Sequence, residues 1–339
     1  TPSLWLTVVV MLAVAVGAWY LAYRDIELST KFMLGLEFFS VGIVLVLAAA
    51  FYAKTGRIYD STQFALAGTQ PKALLQGLVL AFFSFVGFES ATALGHEARE
   101  PLRTIPRSVL VTVIAVGAFF TCMSYTLADA FRGQAVSLGQ SNAPLNVLSQ
   151  LAGIPFLGTL FAAGATVGFF ACALACVNAG ARVIFAMSKH GLVHASAAGT
   201  HQVHATPHVA VSISAIVVLV APLALVLNHV ALLDAFGYLG SVATFGFLFA
   251  YILVSIGSPM FLRRRGELSA TSVIMSVLAI VMLAVATIGS VYPVPAAPYN
   301  LLPYVFVALL AIGLLRFAYL CMTKPDTVRS IEADLASTS

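Results

Sequence analysis

Nine apolar stretches separated by short polar connections take up almost the whole chain. A helix crosses the hydrocarbon core of a bilayer with about 20 apolar residues. Runs of that kind lie near 4–22, 31–53, 73–95, 107–130, 154–187, 208–227, 231–257, 269–291 and 301–322. The fifth is too long for one upright span, so it tilts or reaches into solvent. The longest connection, 132–153, contains NAPLNVLSQL at 142–151, which reads either as a short amphipathic helix on the outer face or as an ordinary loop. No soluble domain intervenes, and residues 323–339 form a polar tail expected to be disordered.

Composition agrees with this pattern. Of the 339 residues 60% are hydrophobic and 9% charged, against roughly a quarter charged in soluble domains. The chain is an all-α integral membrane protein on this reading. Its net charge of +4 makes no case for nucleic acid, and the placement of Lys and Arg matters more. Twelve of them (Arg24, Lys31, Arg99, Arg103, Arg107, Arg182, Lys189, Arg263, Arg264, Arg265, Lys324, Arg329) fall on one side of an alternating nine-span arrangement. Lys54, Arg57, Lys72 and Arg132 fall on the other, and Arg316 lies within the last span. The rich side is expected to be cytoplasmic, with the C-terminus on the cytoplasmic side of the plasma membrane. The chain opens on Thr1, directly before an apolar run and without a signal peptide, so its N-terminus reads as cut.

The cysteines Cys122, Cys172, Cys176 and Cys321 sit in apolar runs and read as packing residues. His190, His194, His201, His204 and His208 contain two pairs spaced i, i+4, but Gly199 and Pro207 interrupt them and no Cys or acid joins them. A soluble loop is the expectation, with no metal and no cofactor.

Candidate chemistry concentrates in AFFSFVGFESATALGHEAREPLRTIPR, residues 81–107. Residues 74–86 are enough for half a span, Gly87 permits backbone conformations that other residues resist, and Glu89 is an ionisable group placed in hydrocarbon. A break at Gly87 aims free backbone groups into the membrane, with Ser90 and Thr92 able to bond them. A continuous helix with a packing glycine is the competing reading. An intramembrane carboxylate costs about 2–3 kcal/mol on insertion scales and is functional by default.

The run FSFVGFES at 83–90, followed by PLRTIPR ending at Arg107, resembles the sixth helix and following loop of the amino acid–polyamine–organocation (APC) transporter superfamily, in particular its bacterial amino acid permeases. ALACVNAGAR at 173–182 resembles the eighth helix, and GYLGSVATFGFLFAY at 237–251 the tenth. The resemblance covers essentially the whole chain. It implies an inverted-repeat transporter fold in which the nine spans correspond to helices four to twelve. Residues 4–53 then end the first repeat, 73–257 form the second with a broken helix at 73–97, and 269–322 add two helices. The equivalents of helices one to three are not in the sequence, which is then not expected to transport without them.

The same resemblance implies roles. Phe83 matches an aromatic that closes over substrate. Gly87, Phe88 and Ser90 match the unwound segment, and Cys176 the site-lining face of helix eight. Glu89 matches a carboxylate implicated in proton linkage or in coupling gate to site. Asn178, two residues beyond Cys176, reads as a gating residue or as a helix–helix hydrogen bond. Glu37 stands near where some relatives carry a lysine; it either titrates in coupling or pairs with a donor elsewhere. Relatives carry paired acids and an Asn after the break, where this chain has His96, Glu97 and Glu100, and an acid where it has His190. Residues 167–187 contain no Ser or Thr, which disfavours the usual sodium site of this fold and favours proton symport or exchange.

The function expected is therefore secondary transport of an amino acid or organic amine by alternating access, with protons as candidate coupling ion. The alternative is a membrane sensor or scaffold that keeps the fold without transporting. Enzyme signatures such as H-E-x-x-H, G-x-S-x-G or a P-loop are absent from the sequence. The partners expected are the small-molecule substrate, protons and the lipid bilayer.

Overall fold

The computed structural model describes residues 4–24, 26–65, 71–94, 98–141, 143–201 and 206–325. Asn142, His96, Glu97, His204 and the tail from 326 fall outside these. All regular structure among the described residues is helical. Ten α-helices follow in order: α1 Leu4–Arg24, α2 Ile26–Thr55, α3 Pro71–Phe85, α4 Pro101–Ala130, α5 Pro144–Ala152, α6 Pro155–Lys189, α7 His208–Leu227, α8 Leu232–Arg264, α9 Ala270–Val291 and α10 Leu302–Thr323. Eight spans among the described residues are long and apolar enough to cross a membrane. The remaining expected span is the one that divides: α3 has 15 residues, and a 3-10 turn, Phe88–Leu94, continues it.

Helix boundaries differ from the hydropathy pattern where local chemistry overrides it. α4 begins at Pro101, six residues before the apolar run, because a proline in the first helical turn lacks only a donor that would be unpaired there. α6 runs for 35 residues, about 50 Å at 1.5 Å per residue, well beyond a hydrocarbon core of about 30 Å. α8 continues past the apolar run to Arg263 and Arg264, cations that complement the helix C-terminus, as Asp234 complements its first turn.

The helices pack as two units, Thr1–Ala67 with Ser90–Val220 and Gly68–Glu89 with Ala221–Ser339. In the first, Ile43, Val44, Leu47, Ala48 and Phe51 of α2 form a core with Met123 and Ala130 of α4 and Leu148 and Ala152 of α5. The segment that read as either helix or loop is thus a helix, and its Leu148 is completely buried. A second cluster joins Ala18 and Ala22 of α1, Leu174, Val177 and Ala181 of α6, and Ala210 and Val211 of α7. Lipid tails are as apolar as leucine, so close backbone approach drives such packing. α6 achieves it with glycines at its crossings: Gly158 faces Ser149 and Asn146 of α5, Gly164 faces Ser40 of α2, and Gly180 faces Ser214 of α7. The histidines are more organised than an open loop. His201 and His208 pack edge to face with each other and with Tyr23, and His194 Nδ1 accepts the Ser196 N–H.

A polar clasp closes the end of α2 against the end of α4. Asp60 accepts from the side chain of Arg132, and its Oδ1 takes the Thr62 N–H at 3.0 Å. The Tyr125 hydroxyl accepts the Asp60 N–H at 2.6 Å and donates to the Ile58 carbonyl at 3.0 Å. Partial burial acts to raise the Asp60 pKa, but the hydrogen bonds from Arg132 and Thr62 outweigh it and hold the carboxyl below its usual value. A depressed carboxylate stabilises fully above its unfolded pKa, and that contribution is lost as pH falls through the folded value. The thermal stability of the protein should therefore carry a small acid-side decline that Arg132→Gln diminishes, read as melting temperature against pH for both proteins. An identical acid limb in Arg132→Gln would discount the clasp.

Candidate functional site

α3 stops because the chain turns at Gly87. Its φ is +107°, outside what an L side chain adopts easily, and no atom lies within 4 Å of where a Cβ would sit. The glycine serves the backbone and not the packing. The Val86 N–H closes a tight turn on the Phe83 carbonyl at 3.2 Å, and the chain re-forms as the 3-10 turn from Phe88.

Glu89 lies in that turn and folds back over the break. Its Oε2 accepts the Gly87 N–H at 3.1 Å and the Tyr251 hydroxyl at 2.7 Å. One carboxylate oxygen of the half-buried Glu89 thus holds a backbone donor freed by the break and a side chain of α8. Two lone pairs meet two donors, the arrangement in which a carboxylate binds more strongly than a neutral acid. The aromatic ring of Tyr251 is fixed by Phe88 and Phe247, at centroid distances of 5.6 and 5.9 Å. Phe83, on the last turn of α3, packs edge to face on Phe236 of α8 at 5.7 Å. It also lies over Gly240, where a Cβ would come within 2.6 Å of Phe83 Cζ. Phe83, Gly87, Phe88 and Glu89 are therefore gathered on α8 by Tyr251, Phe236 and Gly240. Ser90 is exposed in the same 3-10 turn.

Sequence reasoning missed these α8 partners. Gly240 and Tyr251 both lie in the stretch 237–251 that resembled a tenth helix, so the available signal was the one tyrosine hydroxyl near the apolar end of that motif.

Glu37, Cys176 and Asn178 belong to the other packing unit. The Glu37 carboxylate rests on α6 at Gly168, where a Cβ would be 3.8 Å from its Oε2. Gly168, Cys172 and Cys176 follow on successive turns of α6, so Glu37 sits on the face that carries both thiols. On the same helix Asn178 Oδ1 is buried without a hydrogen-bond partner among the described residues. No group of three or more His, Cys, Asp or Glu side chains suited to a metal ion occurs among the described residues.

The eight apolar spans among the described residues, with a helix broken at a glycine and an ionisable group stapled across the break, define an integral membrane protein. The chain belongs to the amino acid permease family, whose family model matches residues 3–325. It is 22% identical to the branched-chain amino acid permease BcaP of Bacillus subtilis (strain 168) over 249 residues, 74% of this chain and 50% of that protein. To BcaP of Lactococcus lactis subsp. cremoris (strain MG1363) it is 26% identical over 196 residues, 56% of this chain and 38% of that one. It is also similar to the methylthioribose transporter of B. subtilis, 21% identical over 250 residues, 73% of this chain and 50% of the relative. The chain thus spans half or less of the length of these relatives. No solved structure matches it significantly.

Proposed function

We propose that the protein is a secondary transporter that moves an amino acid or related organic amine across the cytoplasmic membrane by alternating access, coupled to protons or working by exchange. In this reading the C-terminus is cytoplasmic, residues 4–53 end a first repeat and 73–257 form a second. Phe83, Gly87, Phe88, Ser90 and Cys176 contribute to the substrate site, and Glu89, Glu37 and Asn178 to coupling or gating. The observation that carries the proposal is the bond from Gly87 N–H to Glu89 Oε2. A helix broken in hydrocarbon leaves backbone groups that must be satisfied, and they are the natural contacts for a polar solute.

Glu89 satisfies one of these groups while tied to Tyr251 of α8. A proton on Glu89 weakens both contacts, because a neutral acid is a poorer acceptor than a carboxylate. A substrate group that takes the Gly87 N–H has the same effect by competition. Either event loosens the polar link between the break and α8, giving the element two alternative arrangements that proton and substrate can both bias.

The names of the relatives set the panel for the test. The full-length protein in proteoliposomes is offered labelled leucine, isoleucine, valine, a set of other amino acids and amines, and methylthioribose, with and without an inward proton gradient. Uptake of a panel member driven by the gradient supports proton symport. Uptake indifferent to the gradient but dependent on internal substrate supports exchange. Folded protein that moves none of them shifts the reading to a sensor or scaffold.

A further inference from the structure

The first turns of α4 carry a second arrangement, unconnected with the broken helix. Glu100, Arg103, Arg107, Val111 and Ile114 recur at intervals of three and four residues, so they form one stripe along the helix. Glu100, Arg103, Thr104, Arg107, Ser108 and Val111 line an open groove of about 550 Å³. Arg103 makes one loose contact with Glu100, at 3.9 Å, with both side chains mostly exposed. Arg107 has no ion pair among the described residues. Two cations against one anion leave the groove with one surplus positive charge. Immediately beyond it Leu110, Val111 and Ile114 are each more than half exposed, on a helix apolar enough to cross the bilayer.

The geometry points to a binding site for an anionic phospholipid on this face of α4. The order along the stripe is the order of groups in such a lipid. Arg103 and Arg107 meet the phosphodiester with forked donors suited to phosphate oxygens. Thr104 and Ser108 supply hydroxyls beside them, and Val111 and Ile114 run beside the first segment of an acyl chain. The surplus charge of the groove matches the single charge of a phosphodiester such as phosphatidylglycerol. A soluble anion would use the arginines but gain nothing from the apolar continuation, which commits the occupant to a lipid. The site sits where a membrane helix leaves the hydrocarbon, where basic side chains attract anionic headgroups.

Native mass spectrometry of the full-length protein, titrated in detergent with phosphatidylglycerol or with zwitterionic phosphatidylethanolamine, tests this directly. Wild type should retain the anionic lipid in preference. The double variant Arg103→Gln/Arg107→Gln should weaken its retention by roughly tenfold, and Arg103→Lys/Arg107→Lys should keep part of it, since lysine retains charge and loses the fork. Inorganic phosphate should leave the lipid bound. Equal retention of the two lipids by wild type overturns the site without recourse to any variant. So does undiminished preference in a double variant that elutes and unfolds like wild type. Displacement of the lipid by inorganic phosphate would assign the arginines to a soluble anion instead.

Discussion

Gly87→Val in the full-length protein should reduce substrate uptake by more than tenfold with membrane abundance near that of wild type. The glycine sits at φ +107° with open space around its missing side chain, so the penalty is one of backbone conformation and not of collision. An L residue at positive φ costs about 1–2 kcal/mol even in the left-handed region, and a β-branched residue more. The chain can escape by returning residue 87 to helical φ, which joins α3 to the turn that follows. Residues 87–89 then follow one another at about 100° per residue about the helix axis, a path on which Glu89 no longer folds back to the Gly87 N–H and loses Tyr251. Gly87→Ala should fall between the two, since alanine carries the conformational penalty without the β-branch. Uptake rates normalised to folded protein decide the matter. A valine variant that transports at the wild-type rate would mean that the break is incidental.

That break was legible in part: residue chemistry at one place left a broken and a continuous helix both open, and the resemblance of 83–90 to a broken sixth helix decided between them. A glycine two positions from a carboxylate inside an apolar run is anomalous on its own terms. The number and approximate limits of the spans were legible for a related reason: bilayer thickness sets the length of an apolar run. What each helix touches was not. A membrane helix is apolar on most of its surface, so periodicity does not single out a packing face as it does in a soluble helix. Tyr251 is separated from Glu89 by 162 residues, and nothing local to either announces the pairing. The glycines of α6 that admit α2, α5 and α7 gave no sign of their partners. α5 was undecided because nine residues are short for a helix to declare itself; its formation depends on burying Leu148 in a core assembled from distant segments. The contact of Glu37 with Gly168 was illegible for the same reason, and it brings an acid of α2 onto the thiol-bearing face of α6.

The pairing of Glu89 with Tyr251 yields the second large effect. Tyr251→Phe removes the hydroxyl and its 2.7 Å bond while keeping the ring between Phe88 and Phe247, so packing is conserved and only the polar link is lost. Hydrogen bonds to a charged group contribute about 1.5–3 kcal/mol, which corresponds to roughly ten- to a hundredfold if the link is made in only one of the alternating states. Glu89→Gln keeps the shape of the side chain and an acceptor oxygen but abolishes the charge and the titration. Its uptake should lose all response to the proton gradient, whereas Tyr251→Phe should slow uptake and retain that response. Because both residues act through the same carboxylate oxygen, their effects should not add: Tyr251→Phe should cost little further in a Glu89→Gln background. Initial rates for the four proteins, with and without the gradient, complete the cycle. Additive losses would separate the tyrosine from the carboxylate and leave Tyr251 as a packing residue. Gradient-driven uptake persisting in Glu89→Gln would place the coupling proton elsewhere, and Glu37 is then the carboxylate to replace next.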